Sequence, residues 1–156
     1  MNCPHCKVHV NEHPASRCFD AWVAEDVMEW KPYFIVSYNI LYPPGRQSFC
    51  DEHPVLYRDY RPDKPYEFDS EHFYNSSENP PFTQPIVVSY GTSISAAFDV
   101  AWKIIDPSED EFEVHFIDGW IATFRIVGRG IHASMDPFFP SLAICRAALI
   151  TCLEDK

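Results

Sequence analysis

The sequence has no apolar run near the roughly 20 residues that a membrane-spanning helix requires, which excludes a helical membrane protein. It also lacks the charged-then-apolar opening of a secretory signal, so the expected location is the cytoplasm. Basic residues are scarce: 12 Lys and Arg stand against 23 Asp and Glu, a formal net charge of −11. A surface of that sign repels phosphate backbones and anionic lipid, which argues against duplex DNA and membranes as partners. A small anion in a local basic pocket stays compatible with it, because charge is read over a few ångströms. There is no Gly-rich phosphate loop, no Gly-x-Ser-x-Gly elbow, no internal repeat and no low-complexity tract. The dense acidic run of Glu109, Asp110, Glu111 and Glu113 reads as a solvated turn and not as a catalytic pair. No catalytic set assembles from these residues, and the expectation is a protein that is not an enzyme.

What is present is a core-forming chain. A hydrophobic fraction of 46% over 156 residues is enough for one compact domain. Phe19, Trp22, Val23, Val27 and Trp30 recur at steps of three and four and predict a helix over 14–30, with Arg17, Asp20, Glu25 and Glu29 on its outer face. The β-branched and aromatic run from Tyr33 to Tyr42 predicts one strand. Ile86 to Tyr90 predicts a short buried strand. Thr92 and Ser93 offer a hydroxyl cap to a helix running to about Ile105, with Ile94, Ala97, Phe98, Ala101 and Ile105 as its buried stripe. Alternation in Phe112, Val114, Phe116 and in Trp120, Ala122, Phe124, Ile126, around Asp118-Gly119, predicts a hairpin. A Gly- and Pro-rich connector then leads to a last helix, capped by Ser141, with Leu142, Cys145, Leu149 and Cys152 on one face.

The order is α-β-β-α-ββ-α, and each apolar helix stripe needs an apolar sheet face to bury against. The expected fold class is therefore α+β, an antiparallel sheet sandwiched by helices, in residues 19–156 behind an arm over 1–18. Pro43 to Pro85 interrupts this order with eight of the 14 prolines among clustered Tyr, Asp and Glu, and reads as a long insertion pinned by aromatic packing or a short strand.

Several segments in order carry a family resemblance: Asp20-Ala21-Trp22-Val23-Ala24-Glu25 with Val27-Met28-Glu29-Trp30, then Thr92-Ser93-Ile94-Ser95-Ala96-Ala97-Phe98, then Gly119-Trp120, then Leu142-Ala143-Ile144-Cys145-Arg146-Ala147-Ala148-Leu149. Together they resemble the small phage and prophage proteins with an ABA-sandwich domain, across most of the chain outside 43–85. The resemblance implies a phage or prophage origin and a helix-sheet-helix sandwich, and it brings no catalytic residues with it. The long insertion is a departure from the shorter members.

Cys3-Pro4-His5-Cys6 is followed by His13 and Cys18, giving C-x2-C-x6-H-x4-C. Tetrahedral zinc takes four such ligands, and a Cys-x-x-Cys turn presents two thiolates to one ion. With Cys18 in the first helical turn, the helix dipole favours its thiolate and a metal would fasten the arm to the domain. Four protein ligands leave no open position, so the expected cofactor is structural zinc. Cys50 with His53 offers another second pair, and His5 or His9 another ligand in place of His13.

Tyr57, Arg58, Tyr60 and Arg61 interleave rings and guanidinium groups that can stack on a base or a partner, against the plainer reading of a proline-stiffened lid. Arg125, Arg129 and Arg146 lie in the core region, where an arginine can clamp a phosphate bidentately. Three functions follow as expectations. The first is a non-enzymatic phage accessory protein that binds a host or phage protein. The second is a sequestering protein for a small nucleotide signal of host antiviral defence. The third is a zinc-knuckle RNA binder, disfavoured by a knuckle with only Lys7 and Arg17 as basic neighbours.

Overall fold

A computed structural model describes residues 1–35, 38–45, 58–59, 61, 73–74, 82–83 and 88–154. In chain order a 3-10 turn, Val10–Glu12, precedes helix α1, Arg17–Asp26. Strands β1, Lys31–Ile35, and β2, Tyr38–Tyr42, come next, followed by the short strands β3, Arg58–Asp59, β4, Phe73–Tyr74, and β5, Phe82–Thr83. Helix α2, Ile94–Ile104, leads to strands β6, Glu111–Phe116, β7, Trp120–Ile126, and β8, Gly130–Asp136, and helix α3, Pro140–Leu153, closes the order. Among the described residues every strand pairing is antiparallel, in sheets ordered β2-β1-β3, β4-β5 and β6-β7-β8. The protein is α+β, as its pattern of periods indicates.

Helix α1 is shorter than its apolar pattern. Ser16, not Pro14, sets its start by accepting the Phe19 amide at 3.2 Å. At the other end Glu29 takes a left-handed φ of 60° and the Trp30 amide reaches back to the Ala24 carbonyl at 2.9 Å, closing the helix as glycine usually does. Phe19, Trp22, Val23, Val27 and Trp30 are all buried. Asp20, expected on the outer face, is buried as well: its carboxylate accepts the Gly91 amide at 2.8 Å and faces Arg17 at 3.3 Å. Burial pushes its carboxyl above the ordinary range, against the pull of these two partners.

The single strand expected from Tyr33 to Tyr42 is two strands paired with each other, with Ile35 opposite Tyr38 and Lys31 opposite Tyr42. Within the insertion β3 adds to β1, and β4 pairs with β5. Of the expected strand Ile86–Tyr90, residues 86–87 lie outside those described. Residues 88–90 form no strand: the Tyr90 amide turns back to Val88 at 2.9 Å, and Ser93 to Ser89 at 2.8 Å.

Helix α2 is capped by Ser93, whose hydroxyl accepts the Ala96 amide at 3.3 Å, but it buries a different face from the one its large residues outline. Ala96, Ala97, Val100 and Ala101 are buried, while Ile94, Phe98 and Trp102 are exposed. The helix packs on α3, and alanines let two helices approach closely where bulkier side chains would hold them apart.

Two corrections concern the C-terminal third. The expected connector after the hairpin contains β8, which completes a β6-β7-β8 meander with Phe124 opposite both Phe112 and His132. Its inward residues are His132, Ser134 and Asp136, and its outward ones include Ile131 and Met135, so its polarity runs opposite to the usual alternation and conceals the strand. Helix α3 starts from Phe139 with Pro140 in its first turn, and Ser141 donates to the Gly91 carbonyl at 2.8 Å instead of capping. Every residue from Ser141 to Leu149 is buried, so α3 is a central helix and not an amphipathic one. It packs on β7 and β8, on α2, on α1 and on the 3-10 turn of the arm. Cys3 and Val10 of the arm belong to the same apolar cluster as Trp22, Phe124 and Leu149.

Trp22 is 1% exposed and Trp102 is 59% exposed. In denaturant titration Trp22→Ala is expected to cost about 3–5 kcal/mol, as deletion of a core aromatic does. Trp102→Ala is expected to stay within ~0.5 kcal/mol of the parent. Equal losses for the two variants would show that the exposed face of α2 is covered in the native protein.

Candidate metal centre

The ligand atoms of Cys3, Cys6, His13 and Cys18 all lie within 4.8 Å of one another. Local backbone geometry gathers them. The Cys3 amide donates to the Val8 carbonyl at 2.9 Å and the Lys7 amide to the Cys3 carbonyl at 3.0 Å, while Lys7 takes a left-handed φ of 65° to fold the knuckle back. Cys18 is the second residue of α1, so its sulfur sits at the positive end of that helix. His13 lies just before the helix and is 2% exposed, packed with its ring centroid 5.3 Å from that of Phe19.

The separation of Cys3 and Cys18 fits one tetrahedral ion. Cys3 Sγ and Cys18 Sγ are 3.6 Å apart, and two thiolates bound at ~2.3 Å to a tetrahedral zinc stand about 3.7 Å apart. His13 Nε2 is 3.1 Å from Cys6 Sγ. Its Nδ1 is 2.9 Å from the Pro14 carbonyl, and donation there leaves the Nε2 lone pair facing the sulfurs, the tautomer that a metal needs.

The sulfurs are also electrostatically prepared. The Cys3 thiol is pushed down to about 4, first by the hydrogen bond from Cys18 and then by the Cys6 and His5 amides, which together outweigh its burial. Cys18, which supplies that hydrogen bond beside the resulting negative charge, is held well above the ordinary thiol range. The two sulfurs stand 3.6 Å apart beside the place a cation would take. Three sulfurs and an imidazole are a soft donor set suited to zinc and unsuited to calcium or magnesium.

Two of the alternative ligands, His5 and His9, face other groups. His5 Nε2 faces Glu25 at 3.2 Å, and His9 Nε2 faces the N-terminal amine at 3.1 Å. Cys50 and His53 lie outside the described residues. Cys145 is fully buried with its thiol 3.5 Å from the Tyr90 carbonyl, and burial pushes it well above the ordinary value, so it is a packing residue.

The residues expected to hold a ligand are described only in part. Tyr57 and Tyr60 lie outside the described residues; Arg58 is in β3, and Arg61 is exposed. Arg125 extends across the outer sheet face toward Glu111 at 3.6 Å and Glu113 at 3.7 Å, where two carboxylates offset its charge. Arg129 lines a cleft of about 610 Å³ with Lys31 and Lys103, but also with Glu25, Asp26 and Glu29, and Lys103 is bound to Glu29 at 2.7 Å. Arg146 is no phosphate clamp: its Nη1 donates to Asp136 Oδ2 at 3.1 Å and its Nη2 to the His13 carbonyl at 2.7 Å, in the interior. Sequence reasoning missed a cluster of exposed apolar residues at one end of the β6-β7-β8 meander. Phe116, Ile117, Met135, Phe138 and Phe139 are all more than 45% exposed there. The run Asp136-Pro137-Phe138-Phe139-Pro140 was its signal, two rings held between prolines.

The family model of the phage ABA sandwich domain matches residues 21–149. No curated protein and no solved structure matches the chain. All four clustered residues precede the matched span.

Freshly reduced protein is expected to hold about one zinc per chain by elemental analysis. Cys6→Ser changes an exposed ligand and should retain zinc at least tenfold more weakly, roughly, in competition with a chromogenic chelator. Protein that carries no zinc under these conditions would refute the assignment.

Proposed function

The chain belongs to the phage ABA sandwich domain family, and we propose that it serves as a non-catalytic phage accessory protein that binds a protein partner, with one structural zinc fastening its arm. The observation that carries this reading is the apolar cluster at the end of the meander. Phe116 pairs with Trp120, and Trp120 with Asp136, so the hairpin tip and the entry to α3 share one end of the sheet. Phe138 is 76% exposed, and Phe116 and Ile117 each more than 60%. Single exposed apolar residues are ordinary, but several large ones at one place mark an interaction surface.

Charge supports a definite kind of partner. The net charge of −11 favours a surface that is apolar at its centre and basic at its rim. A zinc with four protein ligands has no open position for substrate, which supports a structural role for the metal. The insertion at 43–85 is a second candidate surface on the same protein, with Arg61 exposed in it.

Affinity enrichment from phage-infected cells separates these readings. A bound protein that wild type retains should be lost by at least about tenfold with Phe116→Asp combined with Phe138→Asp, since buried interface aromatics commonly contribute 2 kcal/mol or more, roughly. Loss on replacing 46–79 with a Gly-Ser linker, with the double variant unaffected, would move the surface to the insertion. Retention of a nucleotide in place of a protein would overturn the proposal.

A further inference from the structure

A continuous chain of hydrogen bonds joins the metal cluster to the exposed aromatics. His13 contributes to both, since its Nε2 faces Cys6 Sγ at 3.1 Å while its carbonyl accepts from Arg146 Nη2 at 2.7 Å. Arg146 Nη1 donates to Asp136 Oδ2 at 3.1 Å and lies 3.2 Å from the Met135 carbonyl. The other oxygen of the same carboxylate, Oδ1, accepts the Phe138 amide at 2.9 Å and the Phe139 amide at 2.8 Å. The inner members are buried: His13 is 2%, Arg146 6% and Asp136 5% exposed.

We infer that Arg146 is a positioning residue through which metal binding at the arm orders the Phe138–Phe139 turn. The physical reason is that water does not substitute freely for any link. A buried guanidinium that loses a carbonyl acceptor retains a large desolvation penalty, and it recovers interaction by moving on its remaining partners, Asp136 and the Met135 carbonyl beside it. Asp136 holds the turn by both amides at once, so its displacement frees them together. The metal fixes the position of His13, and with it the carbonyl on which Arg146 rests. Coupling of this kind requires a contiguous network with a measurable endpoint, and the two amides provide one.

The inference rests on the reading that the cluster binds zinc, so zinc content is measured first on each sample. Native-state hydrogen exchange of the full chain is then compared with zinc bound and after removal by a strong chelator under reducing conditions. Protection of the Phe138 and Phe139 amides is expected to fall by about tenfold or more on removal, while the core amides of Phe124, Ala143 and Ala147 change by less than about twofold. Asp136→Asn keeps an oxygen for the two amides while placing an NH2 group against Arg146. In that variant zinc is still held, and its removal should alter the two amides by less than about twofold.

Protein without zinc would overturn both the metal assignment and the inference. Zinc-loaded protein whose Phe138 and Phe139 amides ignore the metal would overturn the inference alone. So would equal losses across the core, which would make the metal a global stabiliser, or an unchanged zinc dependence in Asp136→Asn. Should that variant fail to fold, Arg146→Lys replaces it: a single ammonium cannot span His13 and Asp136 as the guanidinium does, and the same loss of zinc dependence is expected.

Discussion

A guanidinium placed inside an apolar helix has to be neutralised and hydrogen-bonded where it sits, and the architecture of this protein follows from how Arg146 meets that demand. Helix α3 is buried on all sides from Ser141 to Leu149, so Arg146 has no route to solvent. Burial pulls its pKa down and Asp136 pulls it back up. Its Nε has no partner among the described residues, which leaves Nη1 and Nη2 to carry the compensation. They do so by drawing in two segments far apart in sequence, the end of β8 and the stretch of the arm just before α1. A buried pair of this kind is weak evidence for net stability, but removal of either partner leaves a charge that nothing else can solvate.

This arrangement gives the N-terminal arm a structural task that its length does not announce. Val10 and Cys3 fill the core beside α1 and α3, and His13 supplies an acceptor that α3 needs. A metal at Cys3, Cys6, His13 and Cys18 would therefore act less by adding apolar contact than by restricting the segment on which Arg146 relies. The close approach of the Cys3 and Cys18 sulfurs and the oriented His13 ring fit that role, since a site held by hydrogen bonds loses little freedom when an ion enters it.

The surface divides in a way that the helical and strand periods do not foretell. On α2 the large residues Ile94, Phe98 and Trp102 face outward and the alanines face in, with Phe98 edge-on to Phe112 at 5.9 Å. On β8 the inward residues are polar because they face α3 and the chain around it, where Asp136 meets Arg146 and His132 meets Glu154 at 3.0 Å. Both elements invert the expected polarity, and both leave apolar side chains on the outside.

The sequence alone determined the local elements whose reasons are local: the Ser93 cap of α2, the Asp118-Gly119 hairpin with Asp118 at a φ of 56°, the period of α1, and the Cys-x-x-Cys knuckle with His13 and Cys18 at metal-ligand spacing. Each of these is a short-range rule of backbone geometry or coordination, and each is readable within some fifteen residues, roughly the span of four helical turns. Tertiary structure alone decided the pairing of β1 with β2, the existence of β8, the buried face of α2 and the fate of Arg146. For the face of α2 and for Arg146 the deciding partner is distant in sequence. β8 is recognisable as a strand only beside β7, the alanines of α2 face inward only because α3 is there, and Arg146 is tolerable only where Asp136 and the carbonyl of His13 converge on it.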